Sequence, residues 1–136
     1  MVESPAVPLR CVVVTPERAL LDQEVDFVAL PMYDGELGVL PGRAALIGRL
    51  GPGELRTQKG NDTHRFFVDG GFAQVHNNIV TVLTPHALKA EEINRAAAEQ
   101  ALESAKTAPG GAEGRLKAEA RARAQLRLVQ QGGEAH

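Results

Sequence analysis

The chain predicts a β-then-α fold: an N-terminal antiparallel β-sandwich followed by a C-terminal α-helical hairpin. Three observations carry this. Between residues 9 and 85, short β-branched or alternating runs recur with turn residues about every eight to twelve positions, the signature of a sandwich or barrel. From residue 87 the composition shifts to Ala, Glu, Gln and Arg, with apolar positions spaced as on a helix face. The helical stretch is broken once, at Thr107-Ala108-Pro109-Gly110-Gly111. The resulting division is a flexible lead at 1–8, a sandwich domain at 9–85 and a two-helix domain at 86–136.

Leu9–Val14 is a β-branched run closed by Thr15-Pro16. Residues 25–30 read as one strand with Val25, Phe27 and Ala29 on one face, ended by Pro31. The stretch Gly35-Glu36-Leu37-Gly38-Val39-Leu40-Pro41-Gly42-Arg43-Ala44 alternates apolar residues with glycine and proline. It predicts a short strand between tight bends, presenting Glu36 and Arg43 at an exposed contact edge. Residues 44–50 lead into the Gly51-Pro52-Gly53 turn, and the polar 54–58 run predicts a strand near a sheet edge. Asp69-Gly70, between 64–68 and Phe72–His76, predicts a two-residue hairpin, as does Asn77-Asn78 before 79–84.

Residues 91–106 predict a first helix, with stripes Ile93, Ala97, Ala101 and Ala98, Leu102, Ala105. Glu91 and Glu92 at its start and Lys106 at its end suit the helix dipole. Residues 113–131 predict a second, with stripes Leu116, Ala120, Ala124, Leu128 and Ala118, Ala122, Leu126, Val129, ended by Gly132-Gly133. A short connection makes the pair antiparallel. Alanine faces pack closely but bury little area, so the hairpin is expected to dock and undock at modest cost, with the sandwich as the rigid part.

With 136 residues, 43% of them apolar, the chain is long enough for one compact domain and an appendage. A net charge of −2 gives no overall basic field for nucleic acid, and four Phe and one Tyr offer few stacking platforms. Cys11 is the single cysteine and reads as a buried strand thiol. The start has no basic-then-apolar signal and no run approaches the ~20 residues of a membrane span, which predicts a soluble intracellular chain.

Catalytic signals are weak. His64, His76 and His86 lack metal-ligand spacing and read as ordinary strand or surface histidines; His136 lies at the terminus. Ser4 and Ser104 sit in no nucleophile pattern, Asp69 reads as a turn aspartate, and the glycine-rich pieces lack the lysine of a phosphate loop. No cofactor or metal is expected. The second helix is more informative. Arg115, Lys117, Arg121, Arg123 and Arg127 face only Glu113 and Glu119 between residues 113 and 131, a local charge of +3. It is either a solvated face or a docking face for an acidic partner or a phosphate group, and charge alone slightly favours the first.

The chain resembles the epsilon subunit of F-type ATP synthases. The resemblance rests on the 35–44 stretch above, on Leu50-Gly51-Pro52-Gly53-Glu54-Leu55-Arg56, and on Phe67-Val68-Asp69-Gly70-Gly71-Phe72-Ala73-Gln74-Val75. Asn78-Ile79-Val80-Thr81-Val82-Leu83 and Ala124-Gln125-Leu126-Arg127-Leu128 add to it, all in this order. The resemblance implies a noncatalytic central-stalk subunit at the cytoplasmic face of a bacterial plasma membrane, reaching the membrane only through its complex. It implies a sandwich that binds the gamma subunit and rests on the c-subunit ring, and helices that restrain ATP hydrolysis by reaching the alpha and beta head. Carried over by position, Asp34, Gly35 and Glu36 belong to the loop that meets the c ring. Arg43 stands where many relatives have histidine, and keeps a cation there. The five second-helix cations become candidates for an acidic beta-subunit loop. Some relatives bind ATP through Ile-Asp-x-x-Arg-Ala on the first helix. Here Ile93 is kept, Asn94 replaces the aspartate and Ala97 the arginine, and Arg95 lies roughly 200° away around the helix, so ATP binding is expected to be weak or lost. The alternative reading is a free-standing sandwich adaptor that binds an acidic protein through its hairpin. An enzyme using His64 or His76 with Asp69 comes third.

Overall fold

The computed structural model describes residues 7–134, with side chains through residue 129. The expectations for residues 1–6, including Ser4, and for His136 lie outside the described residues. Among the described residues, ten strands form two five-stranded sheets. The first runs β2 (Ala19–Val25), β1 (Leu9–Val14), β9 (Ile79–Leu83), β8 (Phe72–His76), β5 (Leu46–Arg49). The second runs β10 (Ala87–Lys89), β7 (Asp62–Asp69), β6 (Pro52–Lys59), β3 (Phe27–Met32), β4 (Gly35–Val39). Neighbours are antiparallel except β1 and β9, which pair in parallel.

Period-two alternation turns one face of each sheet inward. Leu9, Cys11 and Val13 from β1, Val80 and Val82 from β9, and Val28, Leu30 and Leu55 from the second sheet are fully buried in one cluster. Burial pushes the Cys11 thiol up to about 12, so it stays a neutral apolar filler.

The Asn77-Asn78 turn forms as expected. Both residues have positive φ (51° and 63°), and β8 pairs with β9 across them. Asp69-Gly70 does not close a hairpin, because β7 and β8 lie in different sheets. Gly70 and Gly71 both have positive φ and bend the chain out of one sheet into the other. A Cβ on Gly71 would run into the Leu83 carbonyl oxygen, so only glycine fits this crossover. The hairpin in this region is instead β6–β7, turning at Gly60-Asn61 with Lys59 opposite Asp62.

Residues 25–30 are likewise not one strand. The chain changes sheets at Asp26, whose carboxylate accepts the Gly60 amide at 2.7 Å. Val28, Ala29 and Leu30 are all buried, and β3 runs through Pro31 to Met32. β6 is central rather than at an edge. Gly53, Leu55 and Thr57 lie on the buried inner face, and the charged Glu54 and Arg56 lie on the outer one. β10 carries the second sheet past residue 85, where composition drew the domain boundary: Ala87, Leu88 and Lys89 pair with Val68, Phe67 and Phe66.

The first helix starts later than expected. A 3-10 turn at Ala90–Glu92 is followed by an extended Ile93; then Asn94 caps α1 (Arg95–Ser104), its side chain accepting the Ala97 amide at 3.0 Å. After a 3-10 turn (Ala105–Thr107), α2 (Gly111–Glu134) continues through the two glycines expected to end it. Ala98, Ala105 and Ala122 are buried, whereas Ala97, Ala101, Leu116 and Ala120 are exposed. The C-terminal half of α2 docks on the outer face of the second sheet. Ala124 and Leu128 join Phe67 and Ile93 in a small separate cluster, with Leu88, Ala90 and Val129 packed around it.

Candidate interaction surfaces

The first candidate surface is the end of the sandwich built by β3, β4 and β5. The β3–β4 hairpin turns at Tyr33-Asp34, with Met32 opposite Gly35. Glu36 lies on the exposed edge strand β4, not in a loop, with Arg56 at 3.9 Å. Leu40-Pro41-Gly42-Arg43 makes a tight turn: Pro41 sets one central φ, Gly42 has φ 88°, and the Arg43 amide reaches the Leu40 carbonyl at 3.3 Å. Asp34, Gly35, Glu36 and Arg43 line one open depression of about 500 Å³.

Tyr33 and Arg49, absent from the sequence candidates, line it too. Tyr33 is 67% exposed, and the Arg49 guanidinium sits 4.7 Å above its ring. Tyr33 is the chain's single tyrosine, placed in a turn, which was a readable signal. Gly35 and Glu36 also line a cleft of about 410 Å³ shared with Glu54, Ala124, Arg127 and Leu128. Glu36 and Arg127, expected at separate contacts, thus border one space between β4 and α2.

A second surface is the outer face of the first sheet. Ile47 (72%), Phe72 (53%) and Leu83 (55%) are largely exposed, and Ile79 lies on the same face. Phe72 stands opposite Leu83, which stands opposite Val14, so the apolar side chains run across three strands. Both faces of β8 and β9 therefore carry apolar residues. An inward Ala73, Val75, Val80 and Val82 forces Phe72, Ile79 and Leu83 outward, a pattern already present in the sequence. Val14, Phe72 and Leu83 line one open apolar depression on this side of the sandwich.

The five α2 cations are not equivalent. Arg121 reaches back to Asp69 at 2.7 Å and ties α2 to the sandwich. Lys117 pairs with Glu113 and Arg123 with Glu119, each one helical turn away. Among the described residues, Arg115 and Arg127 make no ion pair, and Arg123 and Arg127 border a cleft with Leu102 and Leu126. A second tie joins Arg18 to Glu92 at 2.7 Å. The Arg18 guanidinium, and then the Lys89 amide, hold the Glu92 carboxyl below its ordinary value.

The remaining candidates are dispersed. His64 lies on β7 and His76 on β8, in different sheets; His86 packs edge-on to Phe67 with ring centroids 6.5 Å apart. Asp69 is engaged by Arg121. Among the described residues no group of three or more His, Cys, Asp or Glu side chains is placed to hold a metal. At the first-helix motif, Ile93 is buried under α2, the Asn94 side chain is occupied as a cap, and Ala97 offers no charge.

The architecture is a β-sandwich with exposed apolar residues on the outer face of one sheet and a helical pair docked on the other. The family model described as the ATP synthase, Delta/Epsilon chain, beta-sandwich domain matches residues 8–90. An ATP synthase epsilon chain of Rhodopirellula baltica is 52% identical over 123 residues, covering 88% of this chain and 96% of that one. A chain in the Euglena gracilis mitochondrial ATP synthase structure (OSCP/F1/c-ring, rotational state 1) superposes with a TM-score of 0.70 at 25% identity, over 98% of this chain and 84% of that one. A chain of the Tetrahymena thermophila mitochondrial ATP synthase central stalk and c-ring shares the fold, with a TM-score of 0.66 at 18% identity over 95% and 98% of the two chains. The chain belongs to the ATP synthase delta/epsilon-chain family, among the epsilon chains of bacterial F-type enzymes. No helix among the described residues is long and apolar enough to cross a membrane.

Proposed function

We propose that this chain is a noncatalytic central-stalk subunit that couples the gamma subunit to the c ring during ion-driven ATP synthesis, while its helices regulate ATP hydrolysis in the alpha and beta head. The observation that carries this reading is the apolar outer face of the first sheet beside the exposed Tyr33–Arg43 end. One long subunit against that face and a polar ring surface against that end would cover both. In this reading Phe72, Leu83 and Ile47 meet gamma, and Asp34, Gly35, Glu36 and Arg43 meet the polar loops of the c ring. The chain reaches the cytoplasmic face of the bacterial membrane only through these subunits.

The helices supply the second role. Arg115, Lys117, Arg121, Arg123 and Arg127 are the cations that an acidic beta-subunit loop would meet once α2 leaves the sandwich. Leaving requires Arg121 to give up Asp69. ATP is not the ligand that controls this step, because Asn94 and Ala97 supply neither the carboxylate nor the cation of the relatives' motif.

Capture of the tagged chain from gently solubilised membranes tests the assignment. Gamma, alpha, beta and c subunits are the expected companions; recovery of soluble proteins alone would favour a free-standing adaptor. Truncation after Ile93, which keeps β10 in its sheet, tests regulation. Faster ATP hydrolysis by the assembled enzyme is expected, and an unchanged rate would remove the regulatory role. In a titration of the isolated chain with ATP, tight stoichiometric binding would contradict the loss of the nucleotide site.

A further inference from the structure

We infer that Asn78 is the positioning residue of the Leu40–Arg43 turn, acting through its side-chain amide rather than through its place in the β8–β9 hairpin. This rests on the reading above, in which Arg43 belongs to the partner contact. The turn's own hydrogen bond, from the Arg43 amide to the Leu40 carbonyl, leaves the Gly42 amide pointing away from the turn. That amide donates to Asn78 Oδ1 at 2.7 Å, across 36 residues of chain.

The other end of the same side chain donates to the Val7 carbonyl at 3.4 Å, and the Asn78 carbonyl accepts the Arg10 amide at 2.8 Å. One residue thus joins the lead into β1, the β8–β9 turn and the tip of the contact loop. The joined loop carries a 60%-exposed leucine, Leu40, beside the Arg43 cation. A central turn peptide with nothing holding its amide rocks about its two flanking bonds, and Leu40 and Arg43 rock with it. Fixing Gly42 lowers the ordering cost that a partner would otherwise meet on binding. Asn78 suits the task because asparagine tolerates the left-handed backbone (φ 63°) while offering an acceptor and a donor from one short side chain.

Three variants separate the tie from the hairpin. Asn78→Gly keeps the positive φ and deletes the amide. Asn78→Asp keeps the acceptor and deletes the donor to Val7. Asn77→Gly alters the same turn without touching the tie. The readouts are amide exchange at Gly42 in the full-length chain, and dissociation of that chain from the reconstituted ATP synthase. For Asn78→Gly, both are expected to accelerate about three- to tenfold, the worth of one modest hydrogen bond. Asn78→Asp is expected to restore both, and Asn77→Gly to leave both unchanged.

Unchanged Gly42 exchange in Asn78→Gly overturns the inference. So does equal acceleration of dissociation by Asn77→Gly, which would reduce Asn78 to a hairpin residue. Leu40→Ala and Arg43→Ala, run alongside, separate this failure from that of the contact reading. If they speed dissociation and Asn78→Gly does not, positioning alone is wrong. If neither does, the loop is not at the interface and both statements fall.

Discussion

The sandwich interior and the helical dock are held together by different means. The interior joins Leu, Val and Phe side chains from both sheets in one continuous buried cluster. The dock buries Phe67, Ile93, Ala124 and Leu128, and adds two partly exposed ion pairs, Arg18–Glu92 and Arg121–Asp69. Burial of large side chains scales with apolar area, whereas alanine faces and exposed ion pairs contribute little each. The two regions should therefore respond to mutation, salt and pH on separate scales. A rigid part that attaches to partners and a lightly held part that regulates them would have this construction.

The largest effect is expected in the interior. Leu55→Ala empties a fully buried site between the sheets and should cost ~2–5 kcal/mol in urea unfolding of the whole chain. Leu128→Ala should cost ~2 kcal/mol, at the low end because its cluster is small, and should loosen α2 while the sandwich keeps its urea midpoint. If it moves that midpoint as far as Leu55→Ala does, the two regions form one cooperative unit and the comparison breaks. Arg121→Ala should weaken docking by at most about 1 kcal/mol, fading near 1 M salt, where screening acts within ~3 Å; amide exchange in α2 at low and high salt reads it.

The smallest effect concerns acid. Glu92 is held below its ordinary value of 4.5 by Arg18 and the Lys89 amide, so its contribution is present at neutral pH and is lost as pH falls from about that value through its lowered one. Docking of the 90–93 segment should loosen over that acid range in wild type. The pH dependence should flatten in Glu92→Gln, with both read by amide exchange near Ile93.

How much of this was legible in the sequence depended on where the information sat. Leu9–Val14 and Phe72–His76 were readable to the residue, because their alternation and flanking turns are local. Asp69-Gly70 was misread because a turn signal reports backbone φ, not which sheet the next strand joins; residues 25–30 were misread as one strand because their alternation runs on across the change of sheet at Asp26. β6 looked like an edge strand because its outer face is charged; its inner face, with glycine and threonine, gave little apolar signal. β2 and β10 were missed because Asp22, Gln23 and Glu24 dilute one and the other is three residues long. Asn94 was read as a missing ligand, and its cap was visible only once the helix start was fixed. Of the candidate residues, Glu36 and Arg43 were named from the glycine- and proline-punctuated 35–44 run and Asp34 and Gly35 from the family resemblance; all four line one depression. Tyr33, the single tyrosine, was readable from its turn, whereas Arg49 and Asn78 depend on contacts between distant segments that no spacing rule reveals.

Native-state hydrogen exchange on the full-length chain separates the helical dock from the sandwich, because it reads opening free energies region by region. The α1 and α2 amides should exchange through an opening well below the global unfolding energy, while β1, β3, β6 and β9 amides should exchange only through global unfolding. A single opening energy shared by helices and strands would contradict it, and the helical pair would then be a fixed part of the sandwich.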